Sequence, residues 1–182
     1  MANVYIKKVN NDINVDLSSI NPNRKEYLQK LKGNSLIKSY QAWLVLKDIV
    51  LKEFSLDIDK LMLKYNKNKK PYFDEFEFNI SHSDEYICVG VASSLIGVDI
   101  QLIDKSHDFS KIAKRINASD NYLDFYKRFS GLEAYNKKLG FGLKPSLLKE
   151  NINIDYQQIL LLSNKEYVLS VCCNEKINIV HI

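Results

Sequence analysis

A histidine lies between two serines directly after a strand-like run. Residues 76–80 alternate apolar and polar side chains, and Ser81, His82 and Ser83 follow them. Two hydroxyls and an imidazole can together donate several hydrogen bonds to a phosphate group. A histidine at a strand end is more often a structural residue, so this segment alone is weak evidence for a phosphate site.

A carboxylate lies inside the apolar run Ile96-Gly-Val-Asp-Ile100. Asp99 would cost several kcal/mol if it were buried there without a partner. A metal ion or a helix N-terminus would offset that cost, and so would backbone hydrogen bonds to an aspartate at a strand end. The segment therefore indicates either a metal ligand or a structural aspartate.

An acid and a base lie four positions apart at Glu133 and Lys137, on one face of a predicted helix. The run Gly140-Phe-Gly-Leu143 follows, and its first glycine is typical of a helix end. Spacing alone favours a solvated surface ion pair. What these segments can do depends on the elements that bring them together.

Helices followed by strands occur twice along the chain. Asn21 and Pro22 predict the start of one helix, and apolar residues at helical spacing after Ser35 predict a longer one. Asp108 and Gly140 mark the start and the end of two further predicted helices. Strands are predicted near residues 4–9 (at a sheet edge), 76–80, 86–92, 95–100, 159–162, 167–172 and 177–182, with a tight hairpin at the Ser93-Ser94 pair.

Composition narrows the class of protein. The 182 residues are 46% hydrophobic, which suffices for one core or two small packed halves. A net charge of +4 suits a polyanionic ligand or an acidic partner. Cys88, Cys172 and Cys173 lie in apolar stretches, which predicts buried thiols in a reducing compartment. Because no leader or membrane-span pattern is found, a cytoplasmic protein is expected. A monomer is expected as well.

Taken in order, five segments resemble the Sfp-type 4′-phosphopantetheinyl transferases. They are Lys70-Pro71-Tyr72, Phe78-Asn-Ile-Ser-His-Ser83, Gly97-Val-Asp-Ile100, Phe129-Ser-Gly-Leu-Glu-Ala134 and Gly140-x-Gly-Leu143. The resemblance runs from about Arg24 to Cys172. It implies an α+β fold in which two similar α+β halves, residues 1–94 and 95–182, pack as a pseudo-twofold pair. Coenzyme A is then expected in the cleft between the halves.

The same resemblance implies roles for individual residues. Asp99 and Glu133 match positions that bind a divalent metal ion, expected to be Mg²⁺, and Gln101 stands where the family usually has a further acid. Lys137 matches a helix lysine near the reacting phosphate. The residues implied to bind coenzyme A on its nucleotide side are Arg24, Lys38, Ser39, Lys70, Pro71, Ser81 and His82.

The implied reaction transfers the 4′-phosphopantetheine group of coenzyme A to a serine of an apo carrier protein and releases adenosine 3′,5′-bisphosphate. Phosphoryl transfer depends on positioning and charge neutralisation, which Mg²⁺ and substrate phosphates supply together. Either Glu133 or a metal-bound water is expected to take the serine proton. Sharing one metal ion also requires Asp99 and Glu133 to lie close together.

Three departures from the family pattern are Gln101 in place of an acid, Leu132 in place of a lysine and Phe129 in place of a tryptophan. They motivate one alternative, a catalytically impaired homologue that binds coenzyme A or a carrier protein. A basic nucleic-acid-binding module is a further alternative, but aromatic residues are not interleaved with the lysines in a recognisable RNA-binding motif. The transferase is the expected function, without a nucleic-acid or membrane partner.

Overall fold

The computed structural model describes residues 1–119, 121–141, 159–163 and 167–182. The helices are α1 (Pro22–Gln29), α2 (Gly33–Phe54), α3 (Ser110–Arg115) and α4 (Tyr122–Leu139). The strands are β1 (Ala2–Lys8), β2 (Lys64–Tyr65), β3 (Pro71–Tyr72), β4 (Glu77–Ser83), β5 (Tyr86–Ala92), β6 (Gly97–Leu102), β7 (Ile159–Ser163), β8 (Tyr167–Cys172) and β9 (Ile177–His181). The mixed α+β composition predicted from the sequence is confirmed. Gly142 and Leu143, part of the predicted glycine-rich segment, lie outside the described residues.

The first sheet has the strand order β4-β5-β1-β9 and carries α2 on one face. The sequence predicts β1 as an edge strand, and this is wrong, because β9 returns from the far end of the chain and pairs parallel with it. The apolar residues of α2 recur at helical spacing and enter the core of this sheet. Trp43 and Leu46 are fully buried there, and the Trp43 ring meets Phe78 with 6.3 Å between ring centroids.

Local capping explains where the helices begin and end. The side chain of Asn21 accepts a hydrogen bond from the Asn23 N–H at the start of α1, and Pro22 occupies the first turn, as predicted. Helix α4 begins after Asn121, whose side chain caps its first turn. It ends at Gly140, which adopts a left-handed φ of 76°. The predicted end of this helix is confirmed.

The second sheet has the order β6-β8-β7 and packs against α4. The hairpin predicted at Ser93-Ser94 is wrong, because β5 pairs with β1 and β4 whereas β6 pairs with β8. The backbone N–H and the hydroxyl of Ser94 both donate to Glu175 Oε1, at 2.7 and 2.8 Å. This turn therefore carries the chain from one sheet to the other.

Side chains of β4 join the two sheets. The sequence places the strand end at residue 80, but β4 continues to Ser83. Three of its polar side chains accept hydrogen bonds from backbone N–H groups of β6, and we call these bonds the β4–β6 ladder. They run from Val98 N to Asn79 Oδ1 at 2.9 Å, from Ile100 N to Ser81 Oγ at 3.3 Å, and from Leu102 N to Ser83 Oγ at 2.9 Å. Because side chains alternate along a strand, all three face β6 and His82 faces away.

Two further expectations concern the cysteines and membrane-spanning helices. All three cysteines are buried, as predicted, and burial raises the pKa of the Cys88 thiol. In the described ranges no helix combines the length and the apolar character needed to cross a membrane.

Candidate active site

Asp99 lies in the middle of β6 with only 2% of its side chain exposed. Its Oδ1 accepts hydrogen bonds from Lys137 Nζ at 2.7 Å and from Ser81 Oγ at 3.0 Å, and its Oδ2 accepts one from Gln101 Nε2 at 2.8 Å. These donors offset the cost of burying the carboxylate. The sequence leaves open an ordinary surface ion pair on α4, but Lys137 instead crosses to β6 and pairs with Asp99.

Helix α4 approaches β6 so closely that only a glycine fits at position 97. A Cβ on Gly97 would lie 2.0 Å from the Ala134 carbonyl oxygen and 2.4 Å from the Lys138 backbone nitrogen. Ser130 Oγ also donates to the Asp99 carbonyl oxygen at 3.0 Å, which ties the helix to the strand. Lys137 reaches Asp99 from this helix. Glu133 lies one turn earlier and therefore on the same face of α4 as Lys137.

Glu133 is half-buried beside a second negative charge. The pKa of its carboxyl group is raised to about 7, chiefly by burial and then by the Asp99 charge, while Lys137 opposes the shift. Asp99 and Glu133 are thus electrostatically coupled across the contact between helix and strand. Two carboxylates that repel each other in a partly buried site resemble the donor set of a cation site.

The donor set fits one hard divalent cation. Mg²⁺ commonly takes one or two carboxylates and completes its shell with water and substrate oxygens. A cation beside Asp99 and Glu133 would remove the repulsion that raises the Glu133 pKa. Gln101 turns its Nε2 toward Asp99, so its Oε1 is the atom left to face a metal or a bound water. In the described part of the chain no group of three or more His, Cys, Asp or Glu residues forms a metal cluster.

The raised pKa of Glu133 predicts how stability changes with pH. Its carboxyl group binds a proton more tightly in the folded than in the unfolded protein, so between about pH 4.5 and pH 7 the folded state loses stability as pH rises. In chelator-treated protein we expect Glu133→Gln to lose less stability than wild type over this range. Urea unfolding at several pH values gives the free energy of unfolding of each protein. Parallel plots of this free energy against pH for the two proteins would contradict the prediction.

A cavity of about 520 Å³ opens on the other face of β4. Its walls are largely aromatic and apolar, and its polar wall includes the cationic side chains of Arg24 and Lys69 and the imidazole of His82. No carboxylate lines it among the residues that the structure describes. The remaining wall residues are Tyr27, Ser39, Trp43, Leu63, Tyr65, Pro71, Phe78, Asn79 and Ile80. Flat apolar walls combined with positive charge suit an aromatic, anionic ligand.

Arg24 is held over two aromatic rings at the cavity wall. Its guanidinium carbon lies 4.7 Å from the Tyr27 ring centroid and 5.2 Å from that of Trp43, and Nη2 donates to the Ser39 carbonyl oxygen at 3.0 Å. The Trp43 indole is in turn fixed by donation to Asp59 Oδ1 at 3.1 Å. Within the described structure Arg24 Nε is buried without an acceptor. Such a donor is costly, and an anionic ligand would satisfy it.

The loop before β3 presents Lys69 to the cavity and turns Lys70 away. Lys69 adopts a left-handed φ of 64° in the tight turn that joins β2 to β3. Lys70 is 5% exposed and its Nζ donates to Glu77 Oε2 at 2.7 Å. The sequence resemblance implies Lys70 as the nucleotide-binding lysine, but the structure brings Lys69 to the wall instead.

Four residues implied by the resemblance line the cavity, namely Arg24, Ser39, Pro71 and His82. Lys38 is not among the lining residues, but its charge acts on His82 there. Partial burial lowers the pKa of His82, and the positive charges of Lys38 and Lys137 lower this pKa further. Ser81 lies on the opposite face of β4, against Asp99. Sequence reasoning missed Lys69, Tyr27 and Trp43 as wall residues; the signal for Trp43 was its place on the same helix as Ser39.

These features define a class of protein, an α+β fold with an acid–lysine centre, made by Asp99, Glu133 and Lys137, beside an aromatic, cationic cavity. No family model matches the sequence. It is 25% identical over 134 residues to 4′-phosphopantetheinyl transferase gsp of Aneurinibacillus migulanus, an alignment that covers 66% of this chain and 52% of that protein. It is 27% identical over 139 residues to 4′-phosphopantetheinyl transferase psf-1 of Bacillus pumilus, covering 67% of this chain and 59% of that protein.

The chain is therefore related to the 4′-phosphopantetheinyl transferases, and the predicted resemblance is confirmed. It spans between half and two thirds of the length of the curated relatives that it matches.

Proposed function

We propose that this protein transfers the 4′-phosphopantetheine group of coenzyme A to a serine of an apo carrier protein, with Mg²⁺, and releases adenosine 3′,5′-bisphosphate. One observation carries the proposal: the cavity that suits a nucleotide and the acid–lysine centre lie on opposite faces of one strand. His82 lines the cavity, and the preceding residue of β4, Ser81, donates to Asp99. A ligand with a nucleoside at one end and a pyrophosphate at the other matches that arrangement.

The cavity residues bind and orient the nucleotide. Pro71 and the aromatic walls pack against the adenine, since flat apolar surfaces favour a planar ring. Arg24, Lys69 and His82, with Lys38 nearby, bind the phosphate groups, and Ser39 adds a hydroxyl. Arg24 is the strongest of these candidates because its Nε is a buried donor that lacks an acceptor in the described structure.

The acid–lysine centre acts on the reacting phosphate. Asp99 and Glu133, with Gln101 directly or through a water, would hold Mg²⁺, which when bound supplies neutralising charge at the pyrophosphate. Lys137 adds positive charge at the phosphoryl oxygens. The proton of the attacking serine goes to Glu133 or to a metal-bound water, and the Glu133 pKa near 7 suits proton transfer close to neutral pH.

The proposed fold is a pair of halves, residues 1–94 and 95–182, related by a pseudo-twofold axis. In each half a long helix packs against a sheet, α2 in the first and α4 in the second, and β9 of the second half adds a strand to the sheet of the first. The β4–β6 ladder joins the two sheets, and the acid–lysine centre lies beside it. Coenzyme A would extend from the cavity in the first half toward Lys137 in the second.

The proposal is tested by incubating the protein with coenzyme A, Mg²⁺ and an apo carrier protein and measuring the intact mass of the carrier. A gain of one phosphopantetheine is expected, and a carrier whose target serine is replaced by alanine should stay unmodified. Coenzyme A binding without a mass gain on several apo carriers would instead indicate a catalytically impaired homologue. Absence of both binding and transfer would overturn the proposal.

Arg24→Gln should weaken coenzyme A binding by about tenfold or more, because a charge-assisted hydrogen bond contributes roughly 1.5–3 kcal/mol. Lys25→Gln is the matched control, since Lys25 belongs to the same helix but does not line the cavity. Titration calorimetry measures both affinities at fixed ionic strength. Equal losses in the two variants would show that only net charge matters and that Arg24 makes no specific contact.

A further inference from the structure

The Ser81 hydroxyl makes three hydrogen bonds at the acid–lysine centre. It donates to Asp99 Oδ1 at 3.0 Å and accepts from Lys137 Nζ at 2.9 Å and from the Ile100 N–H at 3.3 Å. The residue is 4% exposed. Ser81 therefore hydrogen-bonds to both members of the Asp99–Lys137 ion pair.

These three bonds use the full capacity of a hydroxyl group. A serine has one hydrogen to donate and two lone pairs with which to accept. Nothing remains on Ser81 for a phosphate oxygen, which would need the hydrogen that Asp99 already receives. The nucleotide-contacting role that the sequence resemblance implies for Ser81 conflicts with this geometry.

The contact to Ser81 also restricts the Lys137 ammonium. An ammonium group has three hydrogens, and two of them are directed at Asp99 Oδ1 and Ser81 Oγ. A group held at two points cannot rotate about its terminal bond, so the direction of its third hydrogen is fixed. With Asp99 alone as partner, the ammonium would be free to turn about a single contact.

We propose that Ser81 is a positioning residue that aims the Lys137 ammonium, and not a ligand of the nucleotide. Its kinetic consequence rests on the proposed transfer, because only then does Lys137 meet a reacting phosphate. The positioning of Lys137 by Ser81 does not rest on the proposed transfer, because the contacts among Ser81, Asp99 and Lys137 exist without substrate. Loss of the Ser81 hydroxyl should therefore reduce turnover while leaving coenzyme A affinity unchanged.

The chain offers a matched control in Ser83, two residues along the same strand. Ser83 Oγ accepts from the Leu102 N–H at 2.9 Å, so it contributes to the β4–β6 ladder as Ser81 does. Within the described residues, the Ser83 side chain makes no hydrogen bond to Asp99 or Lys137. Ser81→Ala and Ser83→Ala each remove one rung of the ladder, but only the first removes a contact to the ion pair. Ser81→Cys keeps the side-chain volume, with a weaker donor, in case the alanine variant folds poorly.

The test measures three quantities in wild type and the variants: the Kd for coenzyme A by calorimetry, kcat with an apo carrier protein, and the Lys137 position in metal-free crystal structures. For Ser81→Ala and Ser81→Cys we expect kcat to fall roughly 10- to 100-fold, because misplacing a reacting group by about 1 Å costs rate on that scale. The Kd should stay within twofold of wild type. Ser83→Ala should keep kcat, Kd and the Lys137 position.

Distinct results overturn the inference. A Kd raised tenfold or more by loss of the Ser81 hydroxyl would make Ser81 a nucleotide ligand. Equal kcat losses in the Ser81 and Ser83 variants would make its role purely structural. If wild type neither binds coenzyme A nor transfers, the proposed function fails, and the crystal structures alone decide: Lys137 displaced from Asp99 in the Ser81 variants supports the positioning role, and an unmoved Lys137 refutes it.

Discussion

Replacing Asp99 by alanine should reduce transfer by at least about a thousandfold, because several kcal/mol of charge stabilisation at the reacting phosphate are lost. The same change leaves Lys137 and Gln101 without their shared acceptor. Asp99→Asn keeps the shape of the side chain but removes its charge, and it should lose nearly as much. Turnover of an apo carrier protein, measured across a Mg²⁺ titration, gives the result.

Coenzyme A binding provides the internal control for this prediction. The cavity walls come from α1, α2 and the segment from residue 63 to β4, so the nucleotide affinity of Asp99→Asn should stay within about threefold of wild type. A variant that loses both affinity and turnover has lost its fold. If Asp99→Ala keeps wild-type turnover at every Mg²⁺ concentration, the proposed metal site is wrong.

Replacing Gly97 by alanine is expected to destabilise the protein by about 3 kcal/mol and to abolish most of its activity. The added Cβ meets backbone atoms of α4 at 2.0 and 2.4 Å, so the whole helix must move. Because α4 carries Glu133 and Lys137, that movement separates both residues from Asp99. Urea unfolding and turnover measured on the same preparation test the two effects together.

The matched control is Gly131→Ala, on α4 itself. Apart from its chain neighbours and the adjacent backbone of α4 itself, no described atom lies within 4 Å of the position that its Cβ would occupy. Replacing a helical glycine by alanine without strain typically adds about 0.5–1 kcal/mol of stability. Gly131→Ala should therefore unfold at higher urea than wild type and Gly97→Ala at lower urea. Equal stabilities for the two variants would mean that α4 and β6 are not packed as closely as described.

Local interactions along the sequence sufficed for much of the helical structure. The N-cap at Asn21 and the left-handed C-cap at Gly140 depend only on neighbours within four residues, so both could be predicted. The apolar spacing of α2 likewise depends on its own period. The order of the motifs, with Asp99 and Glu133 among them, was enough to indicate the family to which the chain is related.

Partner choice between strands required the tertiary structure. The Ser93-Ser94 turn has the composition of a hairpin, yet the flanking strands join different sheets: β5 pairs with β1 and β4, and β6 pairs with β8. Strand β9 reaches β1 across more than 170 residues of sequence, as in the pairing of Ala2 with Ile177. No local pattern encodes a contact of that range, since period and capping are the same whichever strand becomes the neighbour.

Residue types and spacing were thus fixed by the sequence, but the direction of each side chain was fixed by the fold. In the turn before β3, Lys69 has a positive φ and lines the cavity, whereas Lys70 is buried and pairs with Glu77. The extension of β4 to Ser83 turns Ser81 toward Asp99 and leaves His82 at the cavity. A strand alternates its side chains between two faces, and only the packing of α2 on one sheet and α4 on the other decides what each face meets.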